Sequence, residues 1–539
     1  MTNRTMLNLD RRSLLKYTAA SAATAAVAGA PLLRSHSALA QDTPTPAEDQ
    51  TLHYLWDVDV RSQDPANALE SNSFHIVRAA YEGLVAQVTG TTDIKPALAT
   101  EWTIAEDAQS VTFKLREGVQ FHDGTTMDAT AVKKSYDRVI AMALGPASLL
   151  DSVASVDVVD DLTVDIKLKA PNVYFMAYVP KIGIVSPTAW ENNQKDGDYG
   201  AAYLEENTAG TGPYRITEIT PNTRRVMERF DNYWQGWDGN HLSKIIFEIV
   251  PEVETRRQML VDGEAHLVGS LPADTVKALD GTDGITVNIS KNFEIDIATF
   301  NMEKAPLDDL RVRQAIQLAF DYEGFRDSVL LGYGNIPNGP FAPDYPGYDP
   351  SLPVFAQDLE KAKALIDEAG VAGQTITMNF LDGRAEEEQC ALVVQDTLGQ
   401  IGLNVELKGM PWATMFDVAG NQEVADHMSV LLMSTFTADP CFTLNQNYGI
   451  EFAGKPYNWS WYRNQDMQNL VDQAAQTLDE AERTALLQQA AGMIVADAPA
   501  IFFSNPQAVE AVNSRVQNYI WNPVDYYWQV AWYDVWLSE

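Results

Sequence analysis

The stretch 111–124 constrains the fold of this chain more than any other. Apolar and polar residues alternate over 111–115, which is typical of a strand buried on one face. Glu117-Gly118 favours a turn, and we expect 119–121 to form a second short strand. The apolar spacing that follows predicts a helix with Asp128 as its N-cap. The pattern therefore predicts strand, turn, strand and helix in an α/β protein.

The wording of this stretch also carries a resemblance. Residues 113–124 read F-K-L-R-E-G-V-Q-F-H-D-G, and further words follow in order along the chain. These words are Y-E-G-L at 81–84, P-A-L-A-T-E-W at 96–102, G-T-G-P-Y at 210–214, R-V-M-E-R-F-D-N-Y-W at 225–234, L-D-D-L-R-V-R-Q-A-I at 307–316 and A-P-A-I-F-F at 498–503. Together they resemble the extracytoplasmic solute-binding proteins, family 5, of peptide, opine and nickel ABC importers.

Length and charge limit the possible functions. A chain of 539 residues should hold more than one domain, because single hydrophobic cores stop growing near about 250–300 residues. A formal net charge of −36 argues against nucleic acid and against anionic membrane surfaces as partners. Solubility explains such acidity, and a preference for cationic ligands would explain it as well.

The N-terminal segment is typical of an export signal. Residues 10–16, D-R-R-S-L-L-K, resemble a twin-arginine motif, and a weakly apolar, alanine-rich run follows over 19–30. Ala38-Leu39-Ala40 fits a cleavage site after Ala40. We therefore expect a periplasmic protein secreted through the twin-arginine pathway.

The resemblance implies a two-lobe periplasmic binding protein fold of the α/β class, with an additional subdomain in the first lobe (the three-domain, cluster C type). It implies the following division of the chain: signal peptide 1–40, flexible leader 41–50, first lobe 51–86, inserted subdomain 87–208, first lobe again 209–297, second lobe 298–504, and C-terminal return to the first lobe 505–539. A solute would be held between the lobes and delivered to the permease, with the protein acting as a monomer.

The resemblance also suggests ligand-binding residues in the first lobe. A loop that lines the ligand cleft follows the first strand in this family. The corresponding residues are Asp57, Asp59 and Ser62. A solvated turn would explain the same residues.

In the second lobe, the loop 434–440 corresponds to the one in which peptide-binding members hold an Asp against the peptide amine. Here Phe436 and Thr437 occupy the positions of that anchor, and Asp439 precedes a proline. This departure weakens the prediction of a general oligopeptide ligand and leaves room for an opine, a modified amino acid or a sugar-like solute.

Arg384 matches a region where relatives hold an Arg against a ligand carboxylate, a role that suits its guanidinium fork. A surface salt bridge would explain it as well. Trp412, Trp459 and Trp461 are either cleft walls or aromatic core.

Catalytic and metal-binding patterns are not apparent. The histidines do not pair at metal-ligand spacing, there is no G-x-S-x-G motif, and 386–388 (E-E-E) fits the acidic first turn of a helix. We therefore expect no enzyme, no cofactor and no metal. Two alternatives stay open: a carrier of nickel, a metal chelate or an oligosaccharide, and a receptor or scaffold without transport. Cys390 and Cys441 form either a disulfide or two buried thiols.

Overall fold

The computed structural model describes residues 44–68, 71–269, 271–433, 437–524 and 530–539, without the side chains of 71, 72 and 433. The predicted signal peptide and the start of the leader lie outside these residues.

The strands of the described part are β1 Thr51–Trp56, β2 Val85–Gln87, β3 Ile94–Pro96, β4 Ala99–Ile104, β5 Ser110–Leu115, β6 Val153–Asp160, β7 Thr163–Leu168, β8 Tyr214–Thr220, β9 Arg224–Arg229, β10 Lys244–Ile249, β11 Leu267–Val268, β12 Ile285–Ser290, β13 Ile295–Phe300, β14 Gly334–Asn335, β15 Thr375–Leu381, β16 Asn404–Met410, β17 Met428–Met433, β18 Ala500–Pro506, β19 Ala508–Asn513, β20 Val516–Gln517 and β21 Trp536–Leu537.

The α-helices of the described part are α1 Ser71–Ala80, α2 Ala129–Met142, α3 Pro187–Asn192, α4 Ala201–Leu204, α5 Val253–Val261, α6 Ala273–Leu279, α7 Leu310–Ala319, α8 Tyr322–Ser328, α9 Leu359–Ala369, α10 Ala385–Gln400, α11 Trp412–Ala419, α12 Pro440–Tyr448, α13 Gln465–Ala474 and α14 Glu480–Asp497.

A seven-stranded sheet of order β12-β19-β11-β1-β10-β9-β8 organises the first lobe. β1 lies parallel to β10 and β11, and β9 and β19 run antiparallel to their neighbours. Both faces of the sheet are covered: Leu52 and Tyr54 belong to one apolar core and Leu55 to another. Apolar side chains on both faces of β1 are what a strand buried on both sides requires.

A six-stranded sheet of order β14-β18-β13-β17-β15-β16 organises the second lobe. β15 lies parallel to both β16 and β17, and β13 runs antiparallel to β17 and β18. Along β13 the side chains alternate between two cores, so that Ile297 packs on one face and Ala298 on the other. The α7 and α10 helices cover the face that carries Ala298.

The stretch 111–124 contributes β5 to a third sheet, of order β4-β5-β7-β6. We call this sheet, α2 and the segment 173–184, which contributes Tyr178 to the same core, the subdomain. Asp128 caps α2 by accepting a hydrogen bond from the Ala131 amide at 2.8 Å, as predicted. The second short strand predicted at 119–121 was wrong. That segment makes only an isolated bridge between Gln120 and Thr126, because the chain turns back on itself at once.

The sequence L-D-D-L at 307–310 predicts Asp308 as the N-cap of α7, but the structure places the cap one residue later. The N-cap is Asp309, which has extended backbone angles and accepts a hydrogen bond from the Arg311 amide at 2.9 Å. Asp308 is exposed one residue earlier.

Candidate solute-binding cleft

The carboxyl ends of the parallel strands define one edge of the second-lobe sheet. β15, β16 and β17 all end there. β13 begins at the same edge because it runs antiparallel to β17, and β18 ends there because it runs antiparallel to β13. In open α/β sheets, ligands bind outside this edge. Four segments of the described chain therefore meet at one place: 294–296, 381–387, 410–412 and 504–505.

The first-lobe sheet presents the corresponding edge. β1, β10 and β11 end at Trp56, Ile249 and Val268. Two short segments join this lobe to the second: 291–294 links β12 to β13, and Gln507 links β18 to β19. These two connections can act as hinges while each sheet stays rigid. The arrangement is that of a binding protein with a cleft between two lobes.

The predicted first-lobe residues have partners inside that lobe. Asp59 forms an ion pair with Arg225 and accepts a hydrogen bond from the Asn222 amide at 2.8 Å. Ser62 is buried and donates a hydrogen bond to Glu205. Asp57 lies half-buried just beyond the end of β1. All three residues thus lie near the first-lobe edge, but Asp59 and Ser62 already have hydrogen-bond or ion-pair partners within the lobe.

Two of the predicted second-lobe residues, Arg384 and Trp412, lie just beyond the ends of β15 and β16. Arg384 immediately precedes α10 in an extended conformation and makes no side-chain cap. Trp412 opens α11 directly after β16 and is 38% exposed. Thr437 is buried, and Phe436 lies outside the described residues.

The tryptophans divide between wall and core. Trp459 is buried and packs against Trp412 at 5.8 Å and against Phe416 at 5.4 Å between ring centroids. Trp461 is half-buried against Gly454, where a side chain would collide with its ring. Only Trp412 of the three exposes a large part of its ring to solvent.

Asp439 connects the two halves of the molecule. It caps α12 by accepting a hydrogen bond from the Phe442 amide at 3.1 Å, and it also accepts one from the Tyr178 hydroxyl of the subdomain segment. Burial raises the pKa of Asp439 to about 6, although the bond from Tyr178 lowers it. The carboxylate therefore serves as a contact between the subdomain and the second lobe.

Further contacts surround this one. The Val173 amide donates to the Ala475 carbonyl at 2.9 Å, and Arg483 donates to the Tyr174 hydroxyl at 3.1 Å. A cavity of about 460 Å³ opens beside them. Its lining includes Tyr174, Tyr345, Arg483 and Ala438. It gives the subdomain and the second lobe a shared space behind the 437–439 loop.

The sequence words meet around one carboxylate. Glu82, from Y-E-G-L, accepts hydrogen bonds from Thr211, Tyr233 and Trp234, which belong to two other words, at 2.9 Å each. Arg116, from the word at 113–124, stacks on the Trp234 ring at 4.1 Å. Burial raises the pKa of Glu82 to about 7, and these hydrogen bonds lower it. The words therefore hold the scaffold of the first lobe together.

The cysteines and the possible metal ligands give no site. Cys390 and Cys441 are both free and buried in different cores, and burial raises the pKa of each thiol. No group of three or more His, Cys, Asp or Glu that could hold a metal is present in the part of the chain that the structure describes. Within that part, no helix is long and apolar enough to cross a membrane.

Two residues of the cleft edge were missed from the sequence. Asp296 is buried in β13 and Glu294 is buried immediately before it, and their alternation with apolar residues resembles an ordinary strand. Two acids on one face of an otherwise buried strand were the signal that could have identified them.

The comparisons with known proteins identify the family. Residues 93–450 match the bacterial extracellular solute-binding proteins, family 5 (middle region), and the chain belongs to this family. It is a solute-binding protein of the kind that serves ABC importers. The two-lobe α/β fold and the family inferred from the sequence words are thereby confirmed.

Relatives and solved structures agree. The chain is 28% identical to the probable D,D-dipeptide-binding periplasmic protein DdpA of Escherichia coli, over 86% of this chain and 90% of the relative. It is 27% identical to the glutathione-binding protein GsiB of Pectobacterium atrosepticum, over 85% of this chain and 89% of the relative.

Among solved structures, DppA from Helicobacter pylori in complex with the peptide STSA superposes with a TM-score of 0.77 at 25% identity, covering 91% of this chain and 98% of that one. AgaA in complex with agropinic acid, at 23% identity, and NikZ from Campylobacter jejuni in complex with Ni(L-His), at 18%, share the fold with TM-scores of 0.75 and 0.76. AgaA covers 91% of this chain and 99% of its own, and NikZ covers 91% and 100%.

Proposed function

We propose that this protein captures a short peptide-like solute in the cleft between its lobes and delivers it to the permease of an ABC importer in the periplasm. The observation that carries the proposal is the similarity over most of the chain to relatives named for dipeptide and glutathione binding. Opine and nickel complexes occur among structures that share only the fold. The peptide class is therefore the better supported one.

The cleft edge offers a place for the carboxylate of such a solute. Arg384 stands at the N-terminus of α10, and its guanidinium supplies the positive charge there, since the first turn itself carries Glu386, Glu387 and Glu388. Its guanidinium can bind a carboxylate through two parallel hydrogen bonds. We assign Arg384 to the carboxylate end, with Asp57, Trp412 and Thr437 as cleft neighbours.

The remaining features of the proposal come from the sequence. Export through the twin-arginine pathway with cleavage after Ala40, action as a monomer, and transport without a bond being made or broken all fit a solute-binding protein. The lobes would close when a solute contacts both, because binding energy then favours the closed state.

A thermal-shift screen tests the solute class. The library holds Ala-Ala, D-Ala-D-Ala, glutathione, agropinic acid and the nickel–histidine chelate. A ligand of the native state raises the melting temperature as its concentration passes its Kd. We expect a shift from at least one peptide. A shift from agropinic acid or the chelate alone would overturn the peptide proposal.

The role of Arg384 is tested in the same assay with R384A. A peptide with a free carboxylate should shift the melting temperature of R384A much less than that of the wild type. The same peptide with an amidated C-terminus should give only a small shift in both proteins. R326A, on the surface of α8 in the same lobe, is the matched control and should bind like the wild type.

A further inference from the structure

A pair of acidic residues stands at the start of β13, on the edge where the second-lobe strands end. Glu294 and Asp296 are two residues apart and therefore point to the same side of the extended chain. Their side chains are almost completely buried, with 1% and 4% of each residue exposed. A buried carboxyl group is unfavourable unless hydrogen bonds or a cation compensate the loss of water.

The compensation is incomplete. One oxygen of Asp296, Oδ2, accepts a hydrogen bond from Ser504 on β18. The other oxygen, Oδ1, and the Oε2 atom of Glu294 are buried and have no hydrogen-bond donor among the described residues. The described chain also contains no ion pair to either carboxyl. Two acceptors that face each other can bond only by holding a proton between them.

The groups around the pair also affect the pKa values of the two carboxyl groups. Burial raises the pKa of Asp296 to about 7, and the charges of Glu386 and Glu387 at the start of α10 also raise it, whereas the hydrogen bond shared with Glu294 and the one from Ser504 lower it. Burial and the Asp296 charge raise the pKa of Glu294 well above its usual value, and Arg384 lowers it.

No other charge from the neighbouring strands compensates the pair. Leu432 lies opposite Asp296 on β17, and Asn505 on β18 donates to the Glu294 backbone carbonyl at 2.7 Å. Lys291, in the hinge segment, pairs with Asp344 instead.

We propose that Glu294 and Asp296 bind the ammonium group of the transported solute. An ammonium group brings three N–H donors and one positive charge, which match two buried acceptor oxygens and the excess of acidic over basic side chains around them. Binding releases the shared proton to solvent, and the charge balance within the pocket is kept. This assignment rests on the proposed function, since it takes the solute to be held at this edge, and it adds that the solute carries a cationic amine.

The test measures binding of Ala-Ala, D-Ala-D-Ala and glutathione, each with a free and with an acetylated amine, to the wild type and to E294Q/D296N. The Gln and Asn side chains have nearly the same size and shape as the Glu and Asp that they replace, and the oxygen of the Asn can still accept a hydrogen bond from Ser504. E406Q, an exposed position on β16 of the same sheet, is the control. We expect the wild type to favour the free amine at least tenfold, and we expect that preference to disappear in the double variant but not in E406Q.

Two further readouts separate the possible outcomes. Titration in buffers of different ionisation enthalpy near pH 6.5 should show proton release in the wild type and none in the double variant. Ethanolamine and putrescine, screened by thermal shift, test the pair if no peptide binds. A shift that depends on the pair would then keep this inference while the peptide proposal fails.

Equal binding of the free and acetylated forms by the wild type would overturn the inference and leave the peptide proposal standing. The inference would also be overturned if E294Q/D296N bound the peptides and amines in the same way as the wild type.

Discussion

At the scale of single residues, the sequence words that identify the family have a structural role. Glu82 accepts hydrogen bonds from three side chains of two other words, and Gly210 lies so close to the Ala80 carbonyl that an added Cβ would stand 2.1 Å from it. A glycine is required at this position because the two backbones meet without room for a side chain. The sequence words therefore stabilise the fold, and the ligand must be inferred from other residues.

Replacing Glu82 tests this structural role. Glu82→Ala leaves the donors Thr211, Tyr233 and Trp234 unpaired in a buried place, and we expect it to lower the free energy of unfolding by about 3 kcal/mol. Urea denaturation measures the change. Glu101→Ala, at an exposed position of β4, should change stability by less than about 0.5 kcal/mol. Equal stability of the two variants would contradict the role of Glu82.

The cap of α7 is a second prediction for single residues. Asp309 accepts a hydrogen bond from a first-turn amide, whereas Asp308 is exposed. We expect Asp309→Ala to cost about 1 kcal/mol and Asp308→Ala to be close to neutral in urea denaturation. The reverse order would show that Asp308 is the cap in solution.

At the scale of elements, the structure shows why some predictions succeeded and others did not. The α2 helix and its Asp128 cap follow from local spacing, which the sequence displays directly. Two adjacent acids precede α7, and only the backbone angle at Asp309 distinguishes the cap from its neighbour. The cleft edge cannot be derived locally either. Arg384 lies close enough to Glu294 to lower its pKa, because strands that are distant in the sequence end together.

The contact between the subdomain and the second lobe is the prediction that belongs to this scale. Tyr178→Phe removes the hydroxyl that donates to Asp439 and leaves that buried carboxyl with one donor fewer. We expect faster hydrogen exchange of the Val173 amide, which bonds across the same contact to Ala475. Exchange measured by mass spectrometry would report it.

Tyr136→Phe provides the matched control, because the Tyr136 hydroxyl is buried and has no hydrogen-bond partner among the described residues. It makes the same chemical change within the subdomain and should leave the exchange of Val173 unchanged. The contact would be of no consequence if both variants exchanged alike.

At the scale of the whole molecule, buried carboxyl groups should control the pH dependence of stability. Burial raises the pKa of Glu82, Glu387 and Glu510 to about 7 each. The folded state then binds protons more tightly than the unfolded one between about pH 4.5 and 7. The free energy of unfolding should therefore fall as pH rises through this window.

Urea denaturation at pH 5 and at pH 8 measures this difference. Glu510→Gln, which keeps an acceptor for Tyr519, should reduce the loss between the two values. Stability that stays constant from pH 5 to pH 8 would show that these carboxyl groups ionise as freely in the folded protein as in the unfolded chain, and stability that rises would contradict the raised pKa values outright.

The central claim is that the two sheet edges enclose a small peptide-like solute. Isothermal titration of the purified protein with Ala-Ala, D-Ala-D-Ala and glutathione tests it most directly. We predict saturable binding of one molecule per chain for at least one of them, and weaker binding when its amine is acetylated or its carboxylate amidated. A folded protein that gives no binding with any of these peptides would contradict the account.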